Sequence, residues 1–493
     1  MAKGAVWMVL FKLLERGIGL ISTMILARML VPHDFGLVAM ALSIIAALEL
    51  LYAFSFDVAL IQKLEITNDH YNTAWSFNFS FGVFSALILY FIAPYAANFY
   101  SEERLELIIY LLAIGMLISA IENIGIVDFR KNMQFDKEFK WMISRKLVSF
   151  VVTVSLAFYL QSYWALIFGM LSGKLTGTVL SYTMHPYRPR LSFAAAKELF
   201  AFSVWLLINN LLFFLKLRSA DFIIGRLSGS RDLGLFSVGY EISNLPTTEL
   251  VAPINRAVFP GYANMSDNIK KLQQGFIDVL SVIYLFAVPI GVGIAVTANL
   301  LVPVFLGPKW VEIVPIIQIL AFFGVASAVQ TNIGSVFLAL GKPRLLTMLA
   351  VLYVTVLIPS LLYTVETWGI VGAAWTYLAV SLLIIPITYH LGLKVLQLSW
   401  GAIWEIVWRP SVAAAIMFFC VYHYISLFDY NSDIYTSVIV LFSSAALGAI
   451  LYVAMIVSFW MLSKKPKTAE YLVIQLVANK DIMIVSRVAQ KLV

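Results

Sequence analysis

Apolar runs of about 20 residues, parted by short polar stretches, recur from one end of the chain to the other. That length matches a bilayer crossing by a helix, which needs roughly 20 mostly apolar residues. The runs are continuous, unlike the alternating segments of about 10 residues that build a barrel. Lipid offers the backbone no hydrogen-bond partner, so such segments must bond internally as helices. The pattern predicts an all-α integral membrane protein with fourteen transmembrane helices, at 4–27, 36–60, 73–98, 105–127, 143–160, 164–184, 199–225, 233–259, 273–297, 312–340, 344–364, 368–391, 410–427 and 435–461.

A repeat runs through the pattern. Residues 27–37, ARMLVPHDFGL, return as 225–235, GRLSGSRDLGL, pairing Arg28 with Arg226, Asp34 with Asp232 and Gly36 with Gly234 at an offset of 198. Asn123-Ile124-Gly125 returns as Asn332-Ile333-Gly334, and Trp164-Ala165-Leu166 returns loosely as Trp368-Gly369-Ile370. The expected organisation is a six-helix lobe at 1–184, a cytoplasmic linker at 185–198 and a second six-helix lobe at 199–391. Two further helices at 392–462 and a cytoplasmic amphipathic tail at 463–493 lie outside the duplication. An even number of spans per lobe makes this a parallel repeat, whose substrate path is expected between the lobes.

Composition agrees: 61% of residues are hydrophobic and 12% charged, with a mean hydropathy of +0.90. With the N-terminus placed inside, 23 of the 34 Lys and Arg residues fall on the inner side and five on the outer. That bias puts both termini in the cytoplasm. The net charge of +7 is then explained by anionic inner-leaflet lipids, with no nucleic acid required. Segment 4–27 reads as a retained helix and not a leader, since Lys12, Glu15 and Arg16 interrupt it and 199–225 is its repeat partner. Two stretches, 128–142 and 470–493, read as amphipathic helices on the membrane surface or as solvated linker and tail. The single Cys420 permits no intrachain disulfide or cysteine metal site.

Ionisable residues inside spans carry the candidate chemistry, because each costs roughly 2.5–3.5 kcal/mol at a helix centre. On the first helix Lys12, Glu15, Arg16, Gly19, Ser22 and Thr23 fall within an arc of about 120°. On the seventh, Ser203, Asn210, Arg218 and Asp221 share about 80°, and on the eighth Glu241, Asn244, Thr248 and Asn255 share about 60°. Pro246 and Pro253 are expected to kink that eighth helix. The blander alternative is local: Glu15 neutralises Lys12 or Arg16 as a packing device, while Arg256, Asp57 and Lys216 snorkel. Lys174 has no nearby acid in sequence and is a candidate for the cavity; Arg28, Arg226, Asp34 and Asp232 read as shaping the outer turns. Guanidinium and ammonium groups at membrane depth point to a phosphate-bearing or otherwise anionic substrate. The five histidines have no metal-like spacing and there is no phosphate-binding loop, so neither an enzyme nor a cofactor is expected.

Several phrases carry a family resemblance. They are Gly4-Ala5-Val6-Trp7, Ile25-Leu26-Ala27-Arg28-Met29-Leu30-Val31-Pro32-His33-Asp34-Phe35-Gly36-Leu37 and Ala59-Leu60-Ile61-Gln62-Lys63. Further on come Pro253-Ile254-Asn255-Arg256-Ala257-Val258-Phe259-Pro260 and Leu301-Val302-Pro303-Val304-Phe305-Leu306-Gly307-Pro308-Lys309-Trp310. In this order they resemble bacterial polysaccharide and O-antigen lipid flippases, Wzx-like and of the colanic-acid-exporter type, in the multidrug/oligosaccharidyl-lipid/polysaccharide exporter superfamily. The resemblance implies alternating-access flipping of undecaprenyl-diphosphate-linked oligosaccharide across the bacterial inner membrane. Lys12, Arg16, Arg218 and Arg256, with Lys174, would engage the diphosphate, and Glu15, Asp221, Glu49 and Asp57 would tune or couple those charges. Asn332 and Ser335 would suit the sugar, and glycan polymerase and glycosyltransferases would be partners. The alternative on the same fold is an ion-coupled drug or metabolite antiporter relying on Glu49, Asp57 or Glu122.

Overall fold

A computed structural model describes residues 2–49, 60–61, 66–196, 204–429, 433–463 and 469–471. Among them the chain is helical with no strand. Two compact units form, Met1–Leu235 and Phe236–Val493.

The first unit opens with α1 (Ala2–Met29), α2 (Pro32–Glu49), α3 (Asn68–Tyr100) and α4 (Arg104–Ala120). The short α5 (Val127–Lys131) leads to α6 (Phe135–Leu160), α7 (Trp164–Met184) and α8 (Val204–Leu227), and α9 (Gly229–Ser243) begins here. Neighbouring spans form hairpins, α3 with α4 and α6 with α7, while α1 lies along α6. Small residues explain how α6 and α7 approach so closely. Gly169, Gly173 and Gly177 of α7 face Thr153, Ser149 and Arg145 of α6 in register, and a Cβ at Gly177 would stand 2.5 Å from the Arg145 Nε.

The second unit contains α10 (Ala252–Asn264), α11 (Ile269–Leu301), α12 (Val314–Ala339), α13 (Pro343–Leu396), α14 (Trp400–Ser426) and α15 (Ile434–Leu462). Between α9 and α10 the backbone widens into a π-turn at Pro246–Val251, where proline cannot donate to the helical ladder. The kink expected there is present, and Thr247 Oγ1 donates to the Gly324 carbonyl at 2.8 Å. The 54 residues of α13 would stretch about 80 Å if straight, against a hydrocarbon core of roughly 30 Å. Gly369, at φ 60 and ψ −148, interrupts it, giving two legs where the sequence predicts 344–364 and 368–391.

Eight helices among the described residues are long and apolar enough to cross a membrane, or nine if the bent pair 104–120 and 124–131 counts as one. The protein is therefore a multi-pass membrane protein. Helices α1 and α8, expected as spans, fall outside that test because they carry the charges discussed above.

One surface-helix expectation is corrected. Residues 128–142 are not a single helix, because Met133 takes φ 55 and turns the chain between α5 and α6. Arg130 holds the corner by donating to Glu138 Oε1 at 2.6 Å, and Glu138 is 3% exposed. Of the tail, residues 472–493 lie outside the described residues; 469–471 are helical, with Ala469 and Glu470 buried.

Candidate substrate path

The stripe on α1 is open. Within 12–25 no side chain described is buried, and a Cβ built on Gly17 or Gly19 would meet nothing within 4 Å. Lys12 Nζ donates to Glu15 Oε2 at 2.6 Å, with those side chains 54% and 37% exposed. Arg16 is half-buried beside them. So Glu15 does pair with Lys12, but on an accessible face, where such a pair contributes little to stability.

On α8, Arg218 Nη1 donates to Asp221 Oδ2 at 2.9 Å. Asp221 is buried, while the arginine is more than a third exposed. Lys174 is half-buried on α7, its ammonium close over Gly115 of α4, in the field of Glu49 at the end of α2 and of Arg145 on α6. The acid missing near Lys174 in sequence is thus supplied by another helix. Asp57 lies outside the described residues, as does Ser203. Arg256 belongs to α10, but its side chain, like that of Asn210, is outside the description.

Two further polar groups prove structural. Arg145 stacks on Trp141, 4.5 Å from the ring, and reaches Glu122 at 3.5 Å. Its only sequence signal was the glycine spacing on α7 that makes room for it. Asn332, offered above as a sugar contact, is fully buried in α12 and accepts from the Tyr262 hydroxyl at 3.1 Å. It is a core residue, whereas Ser335 is half-buried. Asn244 and Asn255 each keep a buried side-chain carbonyl oxygen with no protein partner.

The second unit holds a groove of 870 Å³ between α11, α14 and α15. Pro289, Gly293, Val421, Gly448 and Val453 line it, and Glu470 is its one ionisable carboxylate. Arg409 Nε donates to Glu470 Oε1 at 2.9 Å, with the two side chains 4% and 5% exposed. Apolar residues spaced along α11 and α15 allow such a groove, but nothing in the sequence shows that 409 and 470 meet.

Known proteins fit this geometry. Residues 25–315 match the model of the family described as polysaccharide biosynthesis protein. The chain belongs to that family. It is 25% identical over 412 residues to the lipopolysaccharide biosynthesis protein WzxC of Escherichia coli K12, covering 83% of this chain and 84% of WzxC. It is equally 25% identical over 370 residues to the teichuronic acid biosynthesis protein TuaB of Bacillus subtilis 168, covering 73% and 76%. Among solved structures, the lipid II flippase MurJ superposes with a TM-score of 0.72 at 13% identity, over 93% of this chain and 99% of MurJ. An inward-facing multidrug transporter of the MATE family superposes with a TM-score of 0.53 at 13% identity, over 78% and 94%. The chain is accordingly a Wzx-like member of the exporter superfamily, with the fold shared by MurJ and the MATE transporters.

Proposed function

We propose that this protein flips a polyprenyl-diphosphate-linked oligosaccharide across the bacterial inner membrane by alternating access, with both termini in the cytoplasm. The observation that carries the reading is the groove of 870 Å³, lined mostly by apolar side chains, with Thr297, Ser444, Tyr452 and Glu470 the polar ones. A long isoprenoid tail needs an apolar, lipid-like surface of this kind; a small organic cation does not, which disfavours the antiporter. The groove lies on α14 and α15, the two helices that the duplication leaves unexplained.

Fourteen helices, in two six-helix lobes with a C-terminal pair, would serve this cycle. Lys12, Arg16 and Arg218 engage the diphosphate, joined by Arg256 and with Lys174 in a lesser role. Guanidinium groups fit phosphate oxygens in pairs and ammonium groups act as point charges. Glu15 and Asp221 keep these cations neutralised until phosphate displaces them, and Glu49 and Asp57 set the charge balance. Anionic inner-leaflet lipids hold the basic inner surface, and glycosyltransferases and a polymerase work on the lipid before and after.

The experiment is Arg16→Ala and Arg16→Lys in cells that make the glycan, reading lipid-linked intermediate on the inner leaflet and glycan outside. Arg16→Ala should accumulate intermediate by about tenfold or more, with Arg16→Lys between it and wild type. Unchanged glycan export in both variants would refute the assignment. Loss of transport on neutralising Glu49 or Glu122, with Arg16 dispensable, would revive the antiporter.

A further inference from the structure

We propose that a basic cleft where α13 begins and ends binds an anionic phospholipid, whose phosphodiester head is held by Lys342, Arg344 and Lys394. The site goes beyond the flippase reading and shares with it only the orientation, which puts this end of α13 at the inner leaflet. The cleft measures 860 Å³, and its lining comes from both ends of α13. The break at Gly369 divides that helix into two legs, so the chain leaves and returns on one side. At about 1.5 Å per residue each leg stretches about 40 Å. The hydrocarbon core is only about 30 Å thick, and about 40–45 Å with its headgroup layers. Both ends of α13 therefore reach headgroup depth, where a phosphodiester sits.

The charges in the cleft are all of one sign. Lys342, Arg344 and Lys394 are exposed, no acidic residue lines the cleft, and none of the three has a carboxylate partner among the described residues. The start of α13 adds to this field, having no side-chain cap and no acid in its first turn. Its free amides and positive dipole end favour an anion. The other end of α13 does not cancel the effect, because its carbonyls are engaged. Leu396 accepts from Gln273 Nε2 at 2.7 Å, and Leu393 accepts from the Leu398 amide at 3.0 Å. Three clustered cations repel one another unless an anion lies between them. A merely solvated basic face would need no apolar walls, yet Leu345, Leu391 and Val395 line the same cleft and are half-buried. Cations over apolar walls match a phosphate and the upper acyl chains of one lipid, as in other basic pockets at the inner ends of spans. The guanidinium of Arg344 can take two phosphate oxygens, and the two ammonium groups act as point charges. This cleft shares no lining residue with the apolar groove between α11, α14 and α15, so it is a second lipid site.

The test titrates the full-length protein in neutral detergent with dioleoyl phosphatidylglycerol or dioleoyl phosphatidylcholine, counting bound lipid by native mass spectrometry. The first phosphatidylglycerol should bind about tenfold or more tighter than phosphatidylcholine. Lys342→Gln, Arg344→Gln and Lys394→Gln together should abolish that preference, and Arg344→Gln alone, on an exposed side chain, should weaken it about threefold or more. Lys140→Gln with Lys270→Gln and Lys271→Gln removes the same charge from exposed positions elsewhere. That control should change the affinity by less than about twofold, because charge outside the cleft acts only through a screened field. Equal losses in the two triple variants would overturn the proposal in favour of diffuse attraction. Displacement of phosphatidylglycerol by undecaprenyl diphosphate at a lower concentration would overturn it too, giving the cleft to the transported lipid. Full competition by inorganic phosphate would do the same, since the apolar walls would then add nothing. No transport is read, so a failure of the flippase reading would leave these outcomes unchanged.

Discussion

The first unit leaves two of its paired cations in the open, and the second seals one away. Lys12 with Glu15, and Arg218 with Asp221, each close within three residues on one helix, and both cations remain more than a third exposed. Arg409 and Glu470 meet across 61 residues and are almost fully buried. The difference separates two uses of the same chemistry. A sealed pair has spent its hydrogen-bonding capacity on architecture, since exchanging either partner would strand a buried charge. An open pair leaves its cation accessible to water, as the proposed diphosphate binding requires.

Breaking the sealed pair should have the largest effect on stability. Arg409→Ala is expected to cost about 3–5 kcal/mol, whereas Arg409→Met with Glu470→Leu should stay near wild type. Thermal denaturation in detergent measures both, and a harmless Arg409→Ala would show that the pair is not sealed. Next comes a comparison within the duplication. Asp34 is buried, accepting from the Val31 amide at 3.1 Å and the Tyr163 amide at 3.2 Å. Asp34→Ala should lose about 1–3 kcal/mol by leaving buried donors unmet. Its repeat partner Asp232 is only half-buried, so Asp232→Ala should lose less, and equal losses would mean that the copies carry equal weight.

The open pair comes below these in stability and above them in transport. Lys12→Gln should shift stability by less than about 1 kcal/mol while lowering glycan export severalfold. A large drop in the denaturation midpoint would make Lys12 structural after all.

The smallest effect concerns pH. In the linker, His185 Nδ1 accepts from the Tyr187 amide at 3.2 Å, and its Nε2 faces Asp128 Oδ2 at 3.3 Å. Burial pushes the imidazole below its ordinary value, partly offset by Asp128. The neutral ring therefore favours the folded state. Its contribution is complete above about pH 6.5, the unfolded value, and is lost as pH falls through the lower folded one. Hydrogen-exchange protection across 185–196, taken relative to the intrinsic rate at each pH, should fall on acidification, and His185→Gln should remove that dependence.

How far the sequence could be read varied from feature to feature. The kink before Pro246, the break near Gly369 and the helical character throughout followed from apolar run length and from proline and glycine chemistry. The frame role of Asp34 and Gly36 was readable from the repeat. The Asn-Ile-Gly repeat was a weaker guide. Asn123 caps a turn, its Oδ1 accepting from Gly125 at 2.9 Å, while Asn332 sits inside α12, so the same three letters serve two local structures. The stretch 128–142 misled because Met133 takes φ 55 and breaks the helix, so that Arg130 and Glu138 from its two sides close a corner.

The sequence by itself determined that the chain crosses a membrane as helices, that short phrases recur about 200 residues apart, and which helices carry charge. Those are properties of one segment at a time, set by the cost of unpaired backbone in lipid and by helical periodicity. Only the tertiary structure decided which charged pairs are buried and which stay exposed. Lys174 comes into the field of Glu49 on another helix, Arg409 finds Glu470 beyond the last span, and Gly36 lies against Ser230 and Gly234. Periodicity fixes the face on which a side chain lies; the partner opposite that face comes from another part of the chain, and packing alone brings it there.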